Sequence, residues 1–188
     1  MKKQKFILGL LIVAIMVSGC ATTGNVASET RMLIVCYSLT NNTGFAAEYI
    51  QSVTGADLFM LNPVDPYSTD LGATVARAES EREAGQLPPL AESVSNLADY
   101  DIIFLGSPNW FGTLSLPVLS FLDTHDLSGK TIVPFITFGM GGLQNTITDL
   151  SALVPNATIL DAFGIAGAEV RNSQADITQW LDRIGMIE

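Results

Sequence analysis

The run of residues 100–106 (YDIIFLG) is the feature that most constrains the fold of this chain. Its Ile-Ile-Phe-Leu core is apolar without alternation, which indicates a strand that is buried on both faces. Strands of this kind are typical of the centre of a parallel sheet, where helices cover both sides. The sequence therefore predicts an α/β domain built around this strand.

Further apolar runs of strand length alternate with segments of helical spacing. The runs are residues 32–37, 57–61, 130–137 and 158–165, and the helical segments are residues 43–53, 69–84, 117–122, 141–153 and 173–184. Strands that alternate with helices form a doubly wound parallel sheet with right-handed crossovers, so we expect five parallel strands. Pro134 is a complication, because it lacks the amide donor that a central ladder position uses.

The N-terminal residues are predicted to lie outside this domain. A basic start precedes the fourteen apolar residues 6–19, which fall short of the roughly 20 that a membrane-spanning helix needs and are typical of an export signal. Residues 17–20 (VSGC) resemble a bacterial lipobox, which implies that residues 1–19 are a lipoprotein signal peptide and that Cys20 is lipidated. A simple secretory peptide and an uncleaved anchor are the alternatives. Residues 20–30 suit a flexible tether, and residues 31–188 form the domain.

The charge of the exported part restricts its partners. It keeps one Lys and five Arg against nineteen Asp and Glu, hence a net charge near −13. This excess disfavours nucleic acid, whose phosphates need a basic surface. Attachment to a membrane in the cell envelope would therefore come from the lipid on Cys20. The other thiol, Cys36, lies in the first strand and is expected to be buried and inert.

Three loops follow predicted strands one, three and four, and so leave the sheet at the same edge, where ligands bind in such folds. The first loop, residues 38–43, is rich in hydroxyl and amide groups and opens a helix, as phosphate sites do. The second, residues 107–113, holds two adjacent aromatic residues, and the third, residues 138–142, holds three glycines. Each loop also has an ordinary structural explanation. The first could be a helix cap, an aromatic ring of the second could fill the core, and the third could be a loose connection before a helix.

Together the loops predict a site for a phosphorylated planar ring. A nucleoside triphosphate is disfavoured because the chain has no G-x-x-x-x-G-K-[ST] motif, and a dinucleotide because G-x-G-x-x-G is absent from the first turn. No metal site and no catalytic acid, base or nucleophile is predicted. His125 is expected to be a solvated surface residue.

The chain resembles the flavodoxin family through all three loops. Residues 37–43 (YSLTNNT) are similar to its Tyr-Ser-x-Thr-Gly-Asn-Thr phosphate loop, and residues 106–113 (GSPNWFGT) to its Gly-x-Pro-x-Trp-Trp-Gly-Thr loop. The resemblance implies a flavodoxin-like sheet with strand order 2-1-3-4-5 and FMN as cofactor. Two positions depart from the pattern. Asn41 stands where the family has Gly, and Ser115 stands where Pro is usual, which is expected to loosen the second loop.

The resemblance also implies which residues bind FMN. The phosphate would be held in the first loop, the isoalloxazine flanked by the second, with Trp110 as the stacking ring, and its pyrimidine side lined by the third. The residues so assigned are Ser38, Leu39, Thr40, Asn41, Asn42, Thr43, Pro108, Asn109, Trp110, Phe111, Gly112, Thr137, Phe138 and Gly139. Tyr67, with Arg77 and Glu81, lies in a segment that resembles the family's variable lid.

Three functions remain open from the sequence. The first is an FMN-binding lipoprotein that transfers electrons to a redox partner at a membrane surface. The second is an NAD(P)H-dependent reductase of quinones or nitro compounds that uses FMN. The third is a non-catalytic binding lipoprotein that has lost the flavin.

Overall fold

The computed structural model describes residues 30–187 of the 188-residue chain. The predicted signal peptide, Cys20 and most of the predicted tether lie outside the described residues. Within residues 30–187, no helix is both long enough and apolar enough to cross a membrane.

Parallel strands and helices alternate along the described chain. The strands are β1 (Met32–Cys36), β2 (Asp57–Met60), β3 (Ile102–Trp110), β4 (Thr113–Leu114), β5 (Thr131–Phe138), β6 (Thr158–Ile159) and β7 (Phe163–Ala166). The helices are α1 (Asn42–Thr54), α2 (Leu71–Glu83), α3 (Leu116–Thr124), α4 (Thr146–Leu153) and α5 (Gln174–Arg183). The expected α/β fold is confirmed, although α4 begins five residues later than the helical pattern predicted.

The sheet has the order β2-β1-β3-β5-β6, with β7 also paired to β5. This is the order that the family resemblance implied, and β3 occupies its centre. Two separate clusters of buried side chains cover the two faces of the sheet. Phe104 of β3 packs on the side of α1 and α5, whereas its neighbours Ile103 and Leu105 pack on the side of α2, α3 and α4. Burial on both faces explains the unbroken apolar run of β3.

Pro134 explains why the predicted fifth strand is divided into two short strands. The expected fifth strand, residues 158–165, is divided into β6 and β7, which pair with β5 on either side of Pro134. The backbone carbonyl of Ile132 accepts from the amide of Leu160, so even-numbered residues of β5 face this outer side. The missing amide of Pro134 therefore points at the gap between the two short strands, where no ladder bond is lost.

The second loop is also more regular than expected. Ser107, Pro108 and Trp110 continue β3, and residues 109–110 form a short antiparallel hairpin with β4. Pro108 is tolerated because its nitrogen faces the side of β1, whose pairing with β3 ends at Gly106. The hairpin turn is Phe111-Gly112, and both residues have positive φ, as a two-residue turn between twisted strands requires.

Candidate functional site

The three loops surround one cleft at the carboxyl edge of the sheet. The cleft has a volume of about 370 Å³ and lies across the ends of β1, β3 and β5. Its lining residues are Ser38, Leu39, Thr40, Asn42, Thr43, Leu71, Pro108, Asn109, Trp110, Thr137, Phe138, Gly139, Gly167 and Ala168. Most of the residues that the sequence assigned to a cofactor site are thus brought together, with Thr40 and Trp110 lining the same space.

The first loop is shaped by Asn41, which precedes α1. Its φ of 60° and ψ of 18° lie in the left-handed region, where the family pattern has Gly. Asn adopts this conformation more readily than most residues, so the substitution preserves the turn. Asn41 is exposed and does not line the cleft, and its contribution is to the path of the backbone.

The amide groups of the first loop are open to a ligand. In the described part of the chain, the hydrogen bonds include none donated by the backbone amides of residues 39–44. The first intrahelical bond in this region is donated by Phe45 to the carbonyl of Asn41. Unpaired amides at a helix N-terminus, next to a left-handed residue, form a concave site for an anion.

A buried hydroxyl pair fixes the first loop to the third. Thr43 Oγ1 lies 2.7 Å from Thr137 Oγ1, and both residues are almost fully buried. Thr43 is in the first turn of α1 and Thr137 is near the end of β5. The bond therefore sets the distance between the helix N-terminus and the strand end that form two walls of the cleft.

Asn109 joins the second loop to the third. Its Nδ2 donates to the backbone carbonyl of Gly142 at 3.2 Å, and its Oδ1 accepts from the amide of Gly112 at 3.0 Å. Phe111 and Gly112 were both assigned to the site from the sequence, but neither lines the cleft. The hairpin turn directs Phe111 outward, where it is 41% exposed and lies under the guanidinium of Arg82.

Trp110 stands at one wall of the cleft, held by two tyrosines. Its ring meets Tyr67 edge to face at 5.0 Å between centroids, and Tyr37 at 5.6 Å. Burial raises the pKa of Tyr37 to about 12. Burial and a hydrogen bond to Glu81 raise the pKa of Tyr67. Both phenols are therefore neutral at ordinary pH and act as rigid support for the indole.

The lid residues lie behind Trp110 instead of over the cleft. Tyr67 is buried and donates to a carboxylate oxygen of Glu81, and Arg77 Nε lies 2.8 Å from the other. The Arg77 guanidinium also covers the Tyr67 ring at 4.2 Å. This cluster fixes α2 against the second loop, and Leu71 at the start of α2 is the lid residue that reaches the cleft.

Ser115 tightens the second loop, contrary to the expectation from the sequence. Its backbone amide donates to Ser107 Oγ at 3.0 Å, and the two hydroxyl oxygens are 3.1 Å apart. Both residues are fully buried. A proline would lack this amide, so the serine supplies a bond that the usual family residue cannot make.

Other expectations about reactive groups can be compared with the structure. Cys36 is fully buried, as predicted, and burial raises the pKa of its thiol, which disfavours the reactive thiolate. His125 lies outside the cleft, as expected, but it is half-buried: its ring stacks on Phe121 and its Nε2 is 3.0 Å from Ser93 Oγ.

Sequence reasoning missed three lining residues, Leu71, Gly167 and Ala168. Gly167 and Ala168 follow β7, whose end lies at the same edge of the sheet as the other three strand ends. The rule that selected the three loops would also have selected this fourth one. Leu71 carried no comparable signal, because the position of α2 depends on tertiary contacts.

Comparison with known proteins agrees with this architecture. A model of the flavodoxin family matches residues 31–184. A candidate flavoprotein from Bacteroides eggerthii is 28% identical, with a TM-score of 0.73, over 83% of this chain and 98% of that one. A flavoprotein from Lactobacillus acidophilus, solved in complex with FMN, is 20% identical, with a TM-score of 0.64, over 76% and 97% of the two chains.

An NADH:FMN oxidoreductase solved in its apo form shares the fold more distantly. It is 14% identical, with a TM-score of 0.51, over 82% of this chain and 86% of that one. The Lactobacillus protein and this oxidoreductase are similar to the chain in fold alone.

Proposed function

Because this chain belongs to the flavodoxin family, we propose that it binds FMN in the cleft between its strand-end loops and transfers electrons through it. The observation that carries the proposal is the set of unpaired amides at residues 39–44, in a loop whose residues 38–40, 42 and 43 line the same cleft as Trp110. One end of the cleft suits a phosphate and the other suits a flat ring.

The described residues fit the charge of FMN without a cation in the cleft. None of the residues lining the cleft is charged, so no carboxylate opposes a phosphate there. The phosphate would be held by the amides of the first loop and the hydroxyls of Ser38 and Thr40, together with the dipole of α1. Trp110 would stack against the ring, and Thr137, Phe138 and Gly139 would line its pyrimidine side.

The redox chemistry is supplied by the flavin when it is bound, and the protein binds it, orients it and sets its potential. Asn109 and the Thr43–Thr137 pair hold the walls of the cleft in place. We expect a low potential for the second one-electron reduction of bound FMN, because no cation lines the cleft to offset added negative charge. The guanidinium of Arg82 stacks on Phe111, outside the cleft. A spectroelectrochemical value above that of free FMN would contradict this expectation.

A comparison of FMN with riboflavin tests the assignment of the phosphate site. A hydrogen bond to a charged group contributes about 1.5–3 kcal/mol, so loss of the phosphate should weaken binding at least roughly tenfold. The measurement is a titration of flavin fluorescence with the purified full chain. Equal affinities for the two flavins would exclude the first loop as the phosphate site. Colourless protein that takes up neither flavin would support the non-catalytic alternative.

We propose electron transfer to a redox partner as the main role, with the acidic surface guiding a basic partner. An NAD(P)H-dependent reductase is the second candidate, and it is favoured by an apolar cavity beside the cleft, described below. Stopped-flow mixing of the FMN-loaded protein with NADPH separates the two, since the flavin of a pure carrier stays oxidised.

We propose further that the protein is exported and anchored to a membrane of the cell envelope through lipid on Cys20. The support is the sequence of residues 1–20, which lie outside the described part of the chain. Cys20→Ser should move the protein from the membrane fraction to the soluble fraction after export. Retention of the variant in the membrane fraction would favour an uncleaved anchor instead.

A further inference from the structure

A second cavity, also lined by Trp110, lies between α2 and the second loop. It has a volume of about 270 Å³, and it shares Leu39, Leu71, Asn109 and Trp110 with the cleft. A cavity of roughly 150 Å³ is enough to hold a benzene ring, so this space suits a fused two-ring molecule. The lid cavity, as we call it, thus adjoins the proposed flavin site and shares half of its lining residues with the cleft.

Two polar side chains that line the lid cavity already have partners. Thr74 Oγ1 donates to the carbonyl of Ser68 at 2.6 Å, and the Asn109 side chain is bonded to the backbone of the second and third loops. The other lining side chains are apolar, apart from the indole N–H of Trp110. A ligand in this cavity would therefore be held by apolar contact, and a strongly polar ligand would lose its hydration without compensation.

Apolar side chains are exposed at the mouth of the lid cavity. Leu71 is 73% exposed, and Val75 and Phe111 are each 41% exposed. They come from two elements, α2 and the hairpin turn, and converge on one opening. A grouping of exposed apolar residues around a concave site indicates a ligand-binding surface.

One cation lies beside this mouth. Arg82 is four residues after Ala78 on α2, and its guanidinium lies 4.6 Å from the centre of the Phe111 ring. No carboxylate among residues 30–187 lies within salt-bridge distance of it. Its donors can therefore meet an oxygen acceptor on a molecule that enters between Phe111 and α2.

We propose that the lid cavity binds a planar aromatic small molecule that carries a carbonyl oxygen, namely a quinone. The apolar walls accommodate the fused rings, and Arg82 donates to the carbonyl oxygen. Its redox role rests on the proposed FMN function: a quinone takes up two electrons and two protons to become a hydroquinone, and a two-electron-reduced flavin provides both. The binding itself does not depend on the flavin.

The two tryptophans allow binding to be observed directly. Trp110 lines the lid cavity, whereas Trp180 is buried on the opposite face of the sheet and donates to the carbonyl of Asp161. Each gives one indole N–H signal in a nitrogen–proton NMR spectrum. Titration of the full chain with dimethylnaphthoquinone, which is blocked against addition of thiols, should shift the Trp110 signal saturably and leave the Trp180 signal unchanged.

Two variants test whether the quinone binds in the lid cavity. Val75→Phe places a ring in the mouth and should abolish the shift, and Val53→Phe is the matched control on the exposed surface of α1, where binding should be unaffected. Unchanged Trp180 signals show that both variants remain folded. Dimethylnaphthalene, which lacks the carbonyls, should bind about tenfold more weakly than the quinone, and Arg82→Gln should remove most of that difference.

Repeating the titration with saturating FMN separates this inference from the proposed function. The expected result is a Trp110 shift with and without FMN. If the protein binds the quinone but not FMN, the proposed function is overturned and the proposed quinone site in the lid cavity is not. Two results would overturn the proposed quinone site alone: FMN binding without a quinone-induced shift, and a quinone-induced shift that FMN abolishes by competition. Undiminished quinone binding to Val75→Phe would also overturn it.

Discussion

Replacing Ser115 by proline, the residue usual in the family, is expected to destabilise this protein. The backbone φ of Ser115 is −67°, which a proline ring fits, and that compatibility alone would stabilise the protein by about 0.4–1 kcal/mol through the unfolded state. The structure opposes this gain, because the amide that proline lacks is bonded to a fully buried oxygen, Ser107 Oγ.

The free-energy costs of replacing Ser115 by proline are larger than this gain in stability. Two hydrogen bonds to Ser107 are lost, each contributing about 0.5–1.5 kcal/mol. The ring Cδ would take the place of the amide hydrogen, which lies roughly 2 Å from the accepting oxygen, and such overpacking costs about 1–3 kcal/mol. The net expectation is a loss of about 3 kcal/mol, which lowers the urea midpoint by about 1.5 M at a typical slope of about 2 kcal/mol per M.

The control is the same substitution in a Ser107→Ala background. The oxygen that obstructs the ring is then absent, so Ser115→Pro should become neutral or stabilising by about 0.4–1 kcal/mol. Urea unfolding of the four proteins gives the coupling between the two positions. If Ser115→Pro alone equals or exceeds the stability of the parent protein, the bond between Ser115 and Ser107 does not hold the second loop.

Three other sets of substitutions test different parts of the site. Asn41→Gly should preserve stability or raise it slightly, whereas Asn41→Val should lower the unfolding free energy by about 1–2 kcal/mol, since the residue must keep positive φ; equal urea midpoints for the two would contradict this. Trp110→Ala should weaken FMN binding by about 1–3 kcal/mol of stacking energy, but Phe111→Ala, outside the cleft, should change it little by the same fluorescence titration. Because burial raises the pKa of Tyr37 to about 12, the stability it contributes is present below its unfolded pKa of about 10 and is lost as the pH rises towards 12. Urea midpoints should fall over that range, and less steeply in Tyr37→Phe; identical slopes would refute the assignment.

The sheet could be predicted from the sequence because its signal is local. Residues 102–105 are apolar at every position, and this pattern is typical of a strand that is covered on both faces. The position of the cleft followed from the rule that strand ends meet at one edge. The positive φ of Asn41 was left open by the sequence, because Asn replaces a family Gly there and adopts this conformation less readily than Gly but more readily than most residues.

Other features depended on contacts between distant segments. The predicted fifth strand is divided opposite Pro134. The nitrogen of Pro134 points at that strand and not at β3, and only the pairing of β5 with its neighbours shows this direction. The outward direction of Phe111 results from the hairpin with β4, a strand of two residues that is too short to recognise from the sequence. The bond between Ser107 and Ser115 joins positions eight residues apart, and no pattern in the sequence marks it.

The gap opposite Pro134 also bears on how this protein avoids aggregation. The outermost position of the sheet beside β5 is occupied by strands of only two and four residues, separated by three residues. A foreign strand can extend a sheet only where it meets a continuous row of free amides and carbonyls. This edge offers none of useful length, so the proline inside the sheet also limits self-association at its border.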